Sequence, residues 1–141
     1  MARLIGLDVG SKRIGYAVSD ELGIIASPVG VIRRFSYNRD AAAIAAIVDA
    51  NQAERLVVGL PLSLSGADSQ QTSRVRQFAE MLATRLQVPV EVWDERFTTT
   101  MAVRMVGRER RDEGAAALIL QGYLDSRREP LLPASEGAQR A

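Results

Sequence analysis

The sequence contains no cysteine and no histidine. Their absence removes disulfides, thiolate nucleophiles, imidazole general bases and every zinc site built on thiolate or imidazole. Any hydrolytic chemistry in this chain therefore falls to carboxylates and to the hard, oxygen-preferring cations that carboxylates hold. No apolar run approaches the roughly 20 residues of a bilayer span, and no signal-type apolar stretch opens the chain. A cytoplasmic protein without membrane association is expected. An excess of one charge is lacking too: 18 Lys and Arg stand against 17 Asp and Glu, a net charge of +1. Any nucleic-acid footprint must then be local. Lys12 is the only lysine, so the cations are nearly all arginine, which suits bidentate phosphate contacts but which genome composition also favours.

What is present is an ordinary globular composition, 47% hydrophobic and 25% charged over 141 residues, without a linker-like stretch or an internal repeat. It reads as one domain over residues 1–128, followed by a flexible tail 129–141 marked by Pro130, Pro133 and Gly137. Arg3–Val9 and Arg13–Ser19 are short apolar runs around Gly10, Ser11 and Lys12, a gap of hairpin length, so they read as an antiparallel pair. A third strand falls within Ile24–Arg33, where Pro28 marks an edge or a late start. Asn38 can cap a helix that runs to about Asn51. A buried strand at Arg55–Gly59, a helix within Gly66–Leu86 and a strand at Val88–Trp93 follow. Thr98 or Thr99 can cap a third helix to about Val106, and Gly114–Ser126 reads as a fourth. Three strands and then two helix–strand units describe an α/β fold, a mixed five-stranded sheet flanked by helices, with functional residues gathered at strand carboxyl ends.

Asp8 stands inside an apolar strand, where an ionised carboxylate is costly unless a cation or several donors meet it. It is either a functional carboxylate or one satisfied by the amides of the Gly10 turn. Asp94 and Glu95 follow the Val88–Trp93 strand, and spacing does not choose between them; a solvated loop with an ion pair to Arg96 is the plainer reading. Asp112 and Glu113 precede the last helix, where acids also complement the helix dipole. Three acidic positions at three element ends could nonetheless converge, and two divalent ions about 3.5–4 Å apart need such a cluster to cleave a phosphodiester.

The string IGLDVGSKRIGYAVSD, the strand and turn VVGLPLSLSG, the hexapeptide DERFTT and the segment DEGAAALILQGYLD occur in that order between residues 4 and 125. Together they closely resemble the YqgF (RuvX-like) family, bacterial relatives of Holliday-junction resolvases. The resemblance implies a ribonuclease-H-like fold and a nuclease in 5′-end maturation of the small-subunit ribosomal RNA precursor (pre-16S rRNA). It also implies that Asp8, Glu95 and Asp112 are the catalytic, metal-holding acids, binding Mg²⁺ or Mn²⁺, and it selects Glu95 over Asp94. Two stretches depart from the family's pattern: Ser63 and Ser65 stand in a loop that is often richer in amides, and Arg108–Arg111 uses Arg where Lys and Gly are common.

Lys12 and Arg13 beside Asp8, and Arg96, Thr98 and Thr99 beside Glu95, are candidate substrate contacts, though a threonine there could equally cap a helix. Arg104, Arg108, Arg110 and Arg111 make a local basic patch, and Trp93 reads as core packing rather than a base-stacking platform. The expected partner is structured RNA, with branched DNA as the alternative and a precursor ribosomal particle as the setting; the chain is a monomer or homodimer. Three rival functions remain: a junction resolvase, a non-catalytic ribosome-assembly adaptor, and an actin-like or sugar-kinase-like ATPase. The ATPase reading suffers from the lack of a second phosphate loop.

Overall fold

In the computed structural model, which describes residues 3–62, 69–95 and 112–127, the two N-terminal runs form the expected antiparallel pair. Strand β1 (Arg3–Val9) and strand β2 (Arg13–Ser19) place Ile5 opposite Val18 and Asp8 opposite Gly15. Strand β3 (Ala26–Arg33) adds to β2 as an edge, with Pro28 opposite Ala17 beside a shift of register. Proline lacks the N–H that an inner strand would have to donate, so the edge is where it is tolerated.

Helix α1 (Tyr37–Asn51) starts earlier than its sequence suggests. Its cap is Ser36, whose Oγ accepts from the Arg39 N–H at 3.2 Å, and not Asn38, which lies in the first turn and accepts from the Arg85 guanidinium. A local contact supports the early start: the Phe35 N–H donates to Asp40 Oδ1 at 2.9 Å and pins the chain just ahead of the helix. The left-handed Gln52 (φ 53°) ends α1. Strand β4 (Ala53–Leu60) then runs parallel to β1, with Leu7 beside Val58. Helix α2 (Gln70–Arg85) is capped by Ser69, later than Gly66. Strand β5 (Val90–Asp94) pairs parallel with β4, Leu60 beside Asp94. Pairing begins only at the Pro89 carbonyl, which accepts from the Leu56 N–H at 2.9 Å, so Val88 lies before the strand. Helix α3 (Asp112–Arg127) includes Asp112 and Glu113 in its first turn rather than ahead of it. The third expected helix, from Thr98 or Thr99, and the tail 129–141 lie outside the described residues.

The sheet order is β3-β2-β1-β4-β5. Strand alternation divides its side chains between two cores. Ile5, Leu7, Leu56 and Val58 pack under α1 and α2 against Ile44, Val75, Phe78 and Leu82. Ala17, Val57 and Trp93 pack on the opposite face against Ala116, Ile119, Leu120 and Tyr123 of α3. Each large side chain fully buried in this way contributes about 1.5–3 kcal/mol. Trp93 and Tyr123 meet edge to face at 5.6 Å, the packing role expected of the tryptophan. Burial and the hydrogen bond to Glu91, at 2.8 Å, raise the Tyr123 phenol above its usual pKa, so it stays neutral. Among the described residues no helix is long and apolar enough to cross a membrane.

Asp40 is 2% exposed and takes two partners, the Phe35 N–H and Arg34 Nε at 3.3 Å. Asp40→Asn halves this arrangement while leaving Arg34 partly buried. We expect a loss of about 2 kcal/mol, moderated because Arg34 keeps some solvent contact, read as a lower urea midpoint at unchanged slope. A change below about 0.5 kcal/mol would show that Arg34 does not depend on the charge of Asp40.

Candidate active site

Asp8 lies on the side of β1 that faces α3, half-buried near the carboxyl end of the strand. Its neighbours across both adjacent strands are glycines. On one flank is its antiparallel partner Gly15. A Cβ built there would sit 2.1 Å from the Asp112 carbonyl oxygen and 2.7 Å from the Glu113 nitrogen. The first turn of α3 therefore rests directly on the β2 backbone beside Asp8, an approach that no side chain permits. On the other flank is Gly59, one position beyond the Leu7–Val58 pair. A Cβ there would meet Ile119 Cδ1 at 2.5 Å and Glu95 Oε2 at 2.9 Å. Glu95 thus lies over Gly59. Asp94, the last residue of β5, pairs with Leu60, whose side chain belongs to the opposite core, whereas Glu95 follows the strand and lies over Gly59.

Asp8 lies in β1, Glu95 directly follows β5 and Asp112 opens α3, and the bare positions at Gly15 and Gly59 admit the Asp112 backbone and the Glu95 carboxylate. Asp112 also accepts a hydrogen bond from Arg13 Nε at 2.9 Å, with the two side chains 39% and 60% exposed. In that much water the pair contributes under about 1 kcal/mol and opens readily. The hairpin is closed by the Gly10 N–H donating to the Arg13 carbonyl at 2.8 Å, and Lys12 stands exposed at its tip. Arg96, Thr98, Thr99, Ser63, Ser65 and the arginines 104, 108, 110 and 111 lie outside the described residues.

The donors are carboxylates, the chemistry of Mg²⁺ and Mn²⁺ rather than of soft metals. A Cβ at Gly15 or Gly59 would strike the Asp112 backbone or the Glu95 carboxylate, so only glycine lets these groups lie so close to the strands that flank Asp8, and oxygen donors of this kind suit such an ion. As the side chains stand, no group of three or more acids among the described residues is close enough to hold one, and Asp112 is turned to Arg13. Sequence reasoning passed over that ion pair and both glycines. The pair spans 99 positions, and nothing local marks it. The glycines were accessible, because a glycine inside an otherwise apolar strand signals close approach of another backbone or a ligand.

Comparison with known proteins identifies the family and the fold. The family model described as "RuvX: Holliday junction resolvase" matches residues 2–126. A protein of Myxococcus xanthus (strain DK1622) named "Putative pre-16S rRNA nuclease" is 43% identical over 137 residues, covering 91% of each chain. A protein of the same name from Symbiobacterium thermophilum is 46% identical, covering 89% of this chain and 93% of its own. Among solved structures, Thermus thermophilus RuvC with a Holliday-junction substrate aligns with a TM-score of 0.59 at 17% identity, over 90% of this chain and 96% of that one. Fowlpox virus resolvase with junction DNA aligns at 0.52 and 10% identity, over 88% and 97%. At such identities these two likenesses establish the fold, which is the ribonuclease-H-like one. The chain belongs to the RuvX family and is a nuclease, a hydrolase of phosphodiester bonds.

Proposed function

We propose that this nuclease is metal-dependent, that Asp8, Glu95 and Asp112 hold Mg²⁺ or Mn²⁺, and that its substrate is the 5′ end of pre-16S rRNA in the cytoplasm. The observation that carries the site assignment is the row Gly15, Asp8, Gly59, which lets the Asp112 backbone and the Glu95 carboxylate close on Asp8 from both sides. When bound, such ions would activate water and stabilise the leaving oxygen. Arg13 neutralises Asp112 in the structure described here; released from it, the guanidinium is free to hold a substrate phosphate. Lys12 at the hairpin tip, with Arg96, Thr98 and Thr99, completes the proposed substrate contacts.

RNA is preferred over a bare four-way junction because the net charge of +1 supplies little long-range attraction. A weak, locally guided enzyme suits RNA already positioned on a precursor ribosomal particle. The resolvase reading keeps one support, the description carried by the family model. It would require symmetric cutting of two strands and hence a two-fold dimer.

Structured RNA, single-stranded DNA and four-way junctions, each incubated with Mg²⁺, with Mn²⁺ and with chelator, separate the readings. Cleavage of RNA is expected with either metal and is expected to vanish in chelator; full activity in chelator would remove the metal from the mechanism. In cells, depletion is expected to accumulate precursors with unprocessed 5′ ends, measured by primer extension. Normal precursors together with symmetric junction cutting by a purified dimer would promote the resolvase.

A further inference from the structure

On the sheet face opposite α3, the chain just past β1 opens into a cavity of about 490 Å³ lined by Gly10, Ser11, Arg34, Tyr37, Gln71 and Arg74, with no acid in its wall among the described residues. Its volume falls within the ordinary range for small-ligand sites, about 300–1,000 Å³. Two guanidiniums with different constraints give it its chemistry. Arg34 is fixed, because it donates to the Gly10 carbonyl at 2.8 Å, pairs with Asp40 and lies 4.7 Å over the Phe78 ring. Arg74 is exposed near the amino end of α2 and has no hydrogen-bond or ion-pair partner among the described residues. Tyr37, 42% exposed, leans edge to face on Phe78 at 5.6 Å, which holds an aromatic ring at the rim. A fixed cation, an exposed cation, a hydroxyl, an amide and an aromatic ring match one nucleotide of a strand: its phosphate between the arginines, its base against the tyrosine.

The pocket also abuts the acidic site. Gly10 and Ser11 follow Asp8 by two and three residues, and the Arg34 N–H donates to the Lys12 carbonyl at 3.0 Å. One hairpin therefore separates the acids on one face from the cationic cavity on the other. A strand leaving the cleavage site has this cavity within a short path around the turn.

We propose that the cavity is a subsite for a phosphodiester of the substrate strand beside the cleaved bond, with Arg74 as its charge contact and Tyr37 as its stacking surface. The proposal rests on the nuclease reading for its direction. A competing source of the same phosphate chemistry is a free mononucleotide, and the test separates the two.

The test measures binding of labelled single-stranded RNA to the full chain by fluorescence anisotropy across a salt series. Arg74→Gln is chosen because the residue is exposed and has no ion-pair partner among the described residues, so the variant should fold. It is expected to bind about fivefold to tenfold more weakly, with the slope of log affinity against log salt reduced by about one. Tyr37→Leu should lower affinity and leave that slope unchanged. Arg85→Gln, at the far end of α2, removes the same charge and should change neither. Equal losses for Arg74→Gln and Arg85→Gln would reduce the effect to net charge and overturn the subsite. Unchanged RNA binding by Arg74→Gln would overturn it too, as would a loss confined to binding of AMP. If the wild-type chain cuts no nucleic acid with either metal while Arg74→Gln still lowers affinity and slope, the nuclease reading fails and the subsite stands. If the wild type cuts and Arg74→Gln binds normally, only the subsite fails.

Discussion

Asp8→Asn is expected to yield a folded protein that still binds nucleic acid and has lost turnover by at least about a thousandfold, the scale on which charge stabilisation at a reacting phosphate operates. The substitution keeps shape and removes charge. Asp8 is half-buried between two glycine positions, so Asn fits where Asp did and α3 keeps its seat. Taking one negative charge from a face that also carries Glu95 and Asp112 relieves repulsion in the metal-free protein. The melting temperature is accordingly expected to hold or rise. Turnover with Mg²⁺ and Mn²⁺ and a thermal melt on the same preparation check both halves. An unfolded variant would mean that Asp8 serves the Gly10 turn instead, and a variant with full turnover would remove it from the site.

Gly15→Ala should be the most damaging single methyl in the described structure. Its Cβ would stand 2.1 Å from the Asp112 carbonyl oxygen and 2.2 Å from the carbonyl carbon. Both are backbone atoms at the start of a helix that packs across β3, β2, β1 and β4, so relief requires moving α3 or β2. We expect a loss of about 3 kcal/mol, at the upper end for overpacking, and a fall in turnover larger than the fall in stability explains, because Asp112 moves away from Asp8. Gly30→Ala is the internal comparison. The nearest atoms to a Cβ there are the Tyr16 hydroxyl and ring at 3.1–3.3 Å, the outer end of one side chain, which can shift. That variant should lose under about 1 kcal/mol and keep its turnover. Chemical denaturation with turnover measured on the folded fraction distinguishes the two. If Gly15→Ala is as mild as Gly30→Ala, α3 does not seat on β2 as described.

Much was legible because it is a local property of the chain. The runs RLIGLDV and RIGYAVS declare two strands and a hairpin through composition and turn length alone, and their bounds match β1 and β2. Pro28 declares the edge by its missing N–H. The absence of His and Cys restricts the chemistry to carboxylates before any geometry is known. Four blocks in family order pointed to a ribonuclease-H-like nuclease, and the fold and the family match agree with them. Helix starts were less legible. Ser36 and Asn38 are both competent caps, and the start at Ser36 is supported by Asp40, which accepts from the Phe35 N–H five residues away.

What only the tertiary structure decided is what lies beside what. Asp94 and Glu95 are adjacent in sequence, yet position 95 lies over Gly59 while position 94 pairs with Leu60, a difference that favours Glu95 for the proposed site. Arg13 and Asp112 have no relation along the chain, yet packing α3 onto Gly15 brings them to 2.9 Å. The cavity with Arg34 and Arg74 likewise joins the end of β3 to the start of α2. Hydrophobic period and turn chemistry act over a few residues and can be read in order. Contacts between elements depend on how three elements stack across a sheet, and the small residues that permit the stacking make no local signal beyond their own lack of a side chain.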